Sequence, residues 1–189
     1  LNLFPTISKG LESVDSIGEV LEIEDVEDNE GKTDIGSLKG NYTFENVSYT
    51  YPGNDKSVIN DLNINISAGE TIAFVGESGA GKSTIMNMLI GFIFPTEGRL
   101  LIDGEPIDEI NLHSYRKQLA VVPQNTVLFS GTIRENLLYG TRDISEEVLN
   151  RVVEEAGLKS VIEKLPEGID TEVGEHGDRL SGGQKQRIS

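Results

Sequence analysis

Cysteine is absent from this 189-residue chain, which excludes disulfides and thiolate metal sites and suits a reducing compartment. A basic excess is absent too: 16 Lys and Arg stand against 32 Asp and Glu, for a formal net charge of -16. No large basic face can be assembled from that balance, which argues against a nucleic-acid partner. It does not argue against a phosphate ligand, which needs only local backbone N–H groups and one or two cations. No stretch approaches the ~18 consecutive apolar residues that span a bilayer. Residues 1–10 (LNLFPTISKG) lack the charged and apolar regions of a signal peptide. Internal repeats and low-complexity tracts are missing as well. What remains, 37% hydrophobic and 25% charged, is the composition of an ordinary globular domain with its own core. Because the chain opens on Leu1 rather than Met and stops at Ser189, it is expected to be a piece of something longer.

Apolar residues at Phe4, Ile7, Leu11, Val14, Ile17 and Leu21 fall three and four apart and predict an amphipathic helix over 3–27. Two readings of it stand: a solvated surface helix with an acidic outer face, or the cytoplasmic end of a transmembrane helix. Residues 28–40, rich in Gly, Asp and Lys, read as a linker. Alternation predicts strands at 42–49 and 58–66, and a further strand at 99–102 turns at Asp103-Gly104. The nearly all-apolar run 71–75 (TIAFV) suits a strand buried on both faces, as in a parallel sheet. Residues 119–122 read as a second such strand, stopped by Pro123. Helices are predicted over 82–91, 133–138, 146–156 and 158–164, with another beginning just after Gly182-Gly183.

Between the strand at 71–75 and the helix at 82–91 stands Gly76-Glu77-Ser78-Gly79-Ala80-Gly81-Lys82-Ser83-Thr84, which fits G-x-x-x-x-G-K-[ST]. Glycines let the backbone curl so that successive N–H groups point inward as a nest for phosphate oxygens. The following helix adds its partial positive charge. Lys82 is expected to reach the β- and γ-phosphates, and Ser83 to offer its hydroxyl to Mg²⁺. The bland reading is a glycine-rich strand–helix turn.

Further downstream, Leu180-Ser181-Gly182-Gly183-Gln184 resembles the signature sequence of ATP-binding cassette (ABC) proteins. Between it and the phosphate loop, Val121-Val122-Pro123-Gln124 resembles that family's Q-loop. Tyr51 aligns with the family's A-loop aromatic, where a ring stacks on adenine; Tyr49, which continues the strand's alternation, better fits a core position. The resemblance covers nearly everything from Asn41 to Ser189. It implies ATP and Mg²⁺ as ligands, with Lys82 and Gln124 acting in catalysis and Ser83 and Gln124 on the metal. It also implies that Ser181, Gly182, Gly183 and Gln184 act in trans, on ATP held by a second cassette in a head-to-tail dimer. By residue type alone, Ser181 and the two glycines at a helix start read as another anion-binding terminus, with a small-residue helix cap as the bland alternative.

Residues 125–140 (NTVLFSGTIRENLLYG) and 171–177 (TEVGEHG) resemble the exporter branch in particular, where both regions touch the coupling helices of the transmembrane domain. The implied place is the cytoplasmic face of the cell membrane. Family members continue past the signature into a buried strand ending in Asp-Glu, then a switch His. The strand would lie beside 71–75. None of this falls within the chain. His113 and His176 lie upstream, no carboxylate here matches the catalytic base, and Glu172, Glu175 and Asp178 read as surface or partner contacts. This segment alone is therefore expected to hydrolyse ATP poorly.

The expected fold is α/β: a P-loop NTPase mixed sheet with an antiparallel β subdomain and an α-helical subdomain, incomplete at its C-terminus. Residues 1–40 are expected to close a transmembrane domain and 41–189 to form the nucleotide-binding domain. The expected function is ATP binding and, at full length, ATP hydrolysis driving export. The alternatives are a soluble cassette without transport and a degenerate ATP-dependent dimerisation module.

Overall fold

The structure is a computed structural model that describes residues 14, 18, 27–141, 144–174 and 177–189. The helix expected over 3–27 lies outside the described residues except for Val14 and Gly18, both helical, and Glu27. The chain forms two compact units, Leu1–Leu119 and Ala120–Ser189.

In the first unit, β1 (Tyr42–Tyr49) and β2 (Ile59–Ile66) pair antiparallel. On the other edge of β1 lies β3 (Glu97–Ile102), which turns at Asp103-Gly104 into the short β4 (Glu105–Pro106). The sheet order is β2-β1-β3-β4, antiparallel throughout. A β-bulge between Phe44 and Val47, where Asn46 stands at φ 50°, lets both residues reach the buried face with Tyr49, joined by Leu100 and Ile102 of β3. Against them pack Ile85 and Met88 of α1 (Lys82–Ile90), then Ile107, Ile110, and Leu112 and Tyr115 of α2 (Leu112–Arg116). Helix α1 ends at Gly91, in the left-handed region at φ 77°, where Gly91 N–H donates to Met88 O and Phe92 N–H to Asn87 O.

The strands expected at 71–75 and 119–122 are not formed. Ile72 and Val75 are exposed, the latter at 90%, and so are Val121 and Val122. A strand owes its hydrogen bonds to a neighbour, and among the described residues none runs beside either segment. Apolar composition identified two segments suited to a buried sheet but could not supply their partners. The sheet of the described residues is thus antiparallel rather than mixed.

Residues 27–41, which include the linker expected at 28–40, are bonded along 103–118. Thr33 bridges to Ile110, Asn29 Oδ1 accepts from Leu112 N–H at 2.8 Å, and Ser114 Oγ accepts from Ile35 N–H at 3.0 Å. Gln118 Oε1 accepts from Leu38 N–H at 2.8 Å. Asp103 accepts from the N–H groups of Lys39 and Asn41 at 2.7 and 2.9 Å. Desolvation pushes the Asp103 carboxyl up, but the bonds from Asn41, Lys39 and Gly40 outweigh it and hold it below the usual carboxylate range.

The second unit is helical: α3 (Ile133–Leu137), α4 (Glu146–Glu155), α5 (Lys159–Ile162) and α6 (Gly182–Ile188). Its core is Leu128, Ile133, Leu149, Val153, Leu158, Val173 and Ile188. The helix starts are written locally. Thr132 and Glu135 form a capping box on α3, Ser145 caps α4, and Ser181 and Gln184 form a second box on α6. Among the described residues no helix is long and apolar enough to cross a membrane.

Candidate nucleotide-binding site

The loop 76–84 leaves residues 71–75 and delivers the chain into α1. Ala80 N–H donates to Glu77 O at 3.2 Å, closing a tight turn. Gly79 and Gly81 stand at φ 84° and 85°, the left-handed region that bends successive N–H groups toward one side. At Gly81 space is also limiting: a Cβ would lie 2.5 Å from Ile59 Cδ1, so the loop rests directly on the start of β2. No side chain caps α1, since the capping position is Gly81 itself. The first N–H groups of the helix, from Lys82 onward, thus keep their donor capacity and the positive end of the helix dipole.

Lys82 folds back over this loop, its Nζ donating to Gly76 O at 3.0 Å and Glu77 O at 2.6 Å. Gly76, Glu77, Ser78, Gly79, Ala80 and Ser83 are exposed, whereas Gly81 and Thr84 are buried. Ser83 therefore has its hydroxyl on the open side. Thr84 faces inward, and its Oγ1 shares a 3.1 Å hydrogen bond with Tyr51 Oη. The donor set fits a polyphosphate: a curled glycine backbone, an uncapped helix start and one flexible ammonium. Ser83 suits a hard divalent cation held partly by phosphate oxygens. Among the described residues no cluster of carboxylates or imidazoles could hold a metal by itself.

Tyr51 is half-buried beside this loop and meets Tyr49 edge-on, with ring centroids 4.9 Å apart at 86°. Tyr49 is a core residue, and burial pushes its phenol up. The first unit thus brings together Tyr51 and the phosphate loop, which lie far apart in sequence. Their link through Thr84 was not foreseen from the motif.

Gln124 and the Ser181 segment belong to the second unit. Gln124 is exposed, and its backbone carbonyl accepts from Gln186 Nε2 of α6 at 3.5 Å. In the capping box Ser181 N–H donates to Gln184 Oε1 at 2.8 Å and Gln184 N–H to Ser181 Oγ at 3.4 Å. Gly182 and Gly183 are exposed, and a Cβ on either would meet nothing within 4 Å. Glycine in a helix costs about 0.5–1 kcal/mol relative to alanine. Among the described residues nothing in the packing requires glycine at either position. Of the segment 171–177, residues 175 and 176 lie outside the described residues; Thr171 accepts from Ile133 N–H through its carbonyl, and Glu172 bridges to Thr132.

A family profile described as ABC transporter matches residues 59–189. The chain is 45% identical over 182 residues to an uncharacterized ABC transporter ATP-binding protein of Bacillus subtilis, covering 96% of this chain and 32% of that protein. It is 42% identical over 186 residues to an ATP-dependent lipid A-core flippase of Albidiferax ferrireducens, covering 98% and 32%. Among solved structures, a bacterial Atm1-family ABC exporter with ATP bound matches at a TM-score of 0.86 and 38% identity, over 98% of this chain and 33% of that one. The chain spans about a third of the length of these relatives.

Proposed function

The chain belongs to the ABC transporter ATP-binding family, with the P-loop NTPase fold of its ATPase domain, and from that premise we propose that it is the nucleotide-binding part of a membrane exporter. Residues 41–189 form the cassette, and residues 1–40 join it to a transmembrane domain. The observation that carries this reading is the start of α1: an uncapped helix end behind two left-handed glycines, with Lys82 folded over the loop.

ATP is held by the N–H groups of the loop and by Lys82, with adenine stacked on Tyr51. Ser83 would help to hold Mg²⁺, which would supply charge neutralisation on the phosphates. Gln124, on an exposed loop, offers an amide carbonyl to metal or water. Phosphoryl transfer to water asks the protein for positioning and charge stabilisation more than for covalent chemistry, and Lys82 and the helix N–H groups supply the positive field.

Gly182 and Gly183 support a partner at the signature. Two glycines without internal cause, exposed at a helix start, suit close approach by another molecule. That molecule is the ATP of a second cassette, arranged head to tail. ATP clamps the pair at the cytoplasmic face of the membrane, and hydrolysis releases it. The relatives named for lipid flipping and export favour this reading over a cassette without transport.

The test is ATP turnover by the intact protein in lipid bilayers. Wild type is expected to hydrolyse ATP and Lys82→Ala to lose turnover. Lys82→Ala turning over at the wild-type rate would remove the basis of the reading.

A further inference from the structure

The phosphate loop stands at one end of α1; a second group of contacts holds the other end. Tyr115 is fully buried, and its hydroxyl donates to Leu89 O at 2.5 Å. Burial holds its phenol far above the usual tyrosine range, so it remains a donor. Arg116 Nε donates to Ile90 O at 3.0 Å, and Nη2 donates to Gly91 O at 2.5 Å. Three consecutive carbonyls that a helix leaves open at its carboxyl end are therefore taken by two adjacent side chains of α2. A cation there also opposes the negative end of the helix dipole.

The same guanidinium has further partners. It lies over the Phe92 ring, 5.2 Å from the centroid, and its Nη1 pairs with Glu27 Oε2 at 2.5 Å. Glu27 opens the strap of residues 27–41, and Asn29 Nδ2 holds its Oε1 at 2.8 Å. The bond from Asn29 and then Arg116 keep the Glu27 carboxyl below the usual range, so the pair is charged at neutral pH. Both side chains are partly exposed, 29% and 36%, so the pair itself adds little to the stability of the domain.

We propose that Arg116 is a positioning residue for the nucleotide site: its planar fork fixes the carboxyl end of α1 and ties it to the strap at Glu27. Helix α1 is a nine-residue rod with Lys82 and Ser83 in its first turn. A shift of the strap reaches Arg116 through Glu27, displaces the last turn of α1, and moves the donors at the other end. Only an arginine serves here, because the role needs three separate N–H directions from one planar group. The proposal rests on the reading that the loop 76–84 binds nucleotide.

The test is MgATP affinity, by titration of the intact protein with a fluorescent ATP analogue. The variants are Arg116→Gln, Arg116→Lys, Glu27→Gln and the double variant Glu27→Gln with Arg116→Gln; Lys82→Ala is the control. Arg116→Gln is expected to weaken binding on the order of two- to thirty-fold, the usual span of such couplings. Arg116→Lys recovers only part of the loss. Glu27→Gln, at a side chain bonded to Asn29 and Arg116 rather than to α1, changes affinity in the wild-type background and leaves it unchanged in the Arg116→Gln background. If Arg116→Gln folds poorly, the same cycle is run with Arg116→Lys, where the Glu27 effect is expected to shrink.

A merely structural Arg116 would lower the melting temperature without making affinity depend on Glu27. No Glu27 effect, or an equal one in both backgrounds, overturns the proposal while Lys82→Ala still destroys binding. If Lys82→Ala binds normally, the reading of the loop falls and the proposal falls with it.

Discussion

Replacing Gly81 by alanine perturbs the phosphate loop in two separable ways. The residue stands at φ 85°, where an L side chain is strained by about 1–2 kcal/mol. A Cβ would also lie 2.5 Å from Ile59 Cδ1 and 3.3 Å from Val58 O. The isoleucine methyl can move, whereas the backbone carbonyl cannot without shifting β2. Overpacking of this kind adds about 1–3 kcal/mol. The sum, about 2–5 kcal/mol, should fall on local opening of α1 and its loop. Gly79 isolates the first contribution: its φ is 84°, and a Cβ there meets nothing within 4 Å, so Gly79→Ala should cost only the strain. Native-state hydrogen exchange on the α1 amides of the intact protein reads these costs directly. At 1.4 kcal/mol per factor of ten, Gly81→Ala should speed exchange about 30- to 4,000-fold and Gly79→Ala about 5- to 30-fold. Equal acceleration in the two variants would refute the steric part of the argument, and no acceleration in either would refute both parts.

Three other perturbations separate roles that sit close together. Tyr51→Phe removes the hydroxyl bonded to Thr84, costing about 1 kcal/mol of stability, yet keeps the ring, so adenine nucleotide affinity should hold. Tyr51→Ala should weaken nucleotide binding by about 1–3 kcal/mol, and a Phe variant that binds as poorly would contradict stacking. Asp103 has a folded pKa below its ordinary value of 3.8, so it stabilises the fold fully above the usual carboxylate range and loses that contribution as pH falls through the lowered pKa. The stability gap between wild type and Asp103→Asn, measured by urea unfolding, should be constant near neutral pH and close below about pH 4; a gap that widens with acid would reverse the sign. At the start of α6, Ser181→Ala removes the cap and should cost about 0.5–2 kcal/mol. Gly182→Ala should leave stability unchanged or raise it by up to about 1 kcal/mol while ATP turnover falls, and unchanged turnover would remove the partner-facing role.

What the sequence made legible was local. Alternation found β1 and β2, and spacing found α1, α3 and α4 to within a residue or two at most ends. The loop 76–84 was readable because glycines, a lysine and a hydroxyl occur in a fixed order between two kinds of periodicity. The Ser181 to Gln184 box follows the same logic, since a cap and its return bond span four residues. Asn111, which accepts from His113 and Ser114 N–H, was a comparable signal for α2 that went unread. Long-range pairing was not legible. The runs at 71–75 and 119–122 had a buried strand's composition, but a strand also needs a neighbour. Most of the strap, residues 28–40, reads as a linker because its composition is polar. Its anchors are single side chains, Asp103, Asn111, Ser114, Arg116 and Gln118, distant in sequence and without periodicity. Tyr51 and Thr84 meet for the same kind of reason: β1 and α1 pack on one core, and nothing near either residue encodes the other.

The central claim is that the loop 76–84 holds MgATP through Lys82 and the uncapped start of α1. Equilibrium titration of MgATP against the intact protein tests it most directly, comparing wild type with Lys82→Ala and with Lys82→Arg. Saturable binding by wild type, lost in Lys82→Ala and only partly restored by the bulkier cation, is the predicted result. Equal affinity in all three, or saturable binding that ignores Lys82, would contradict the account.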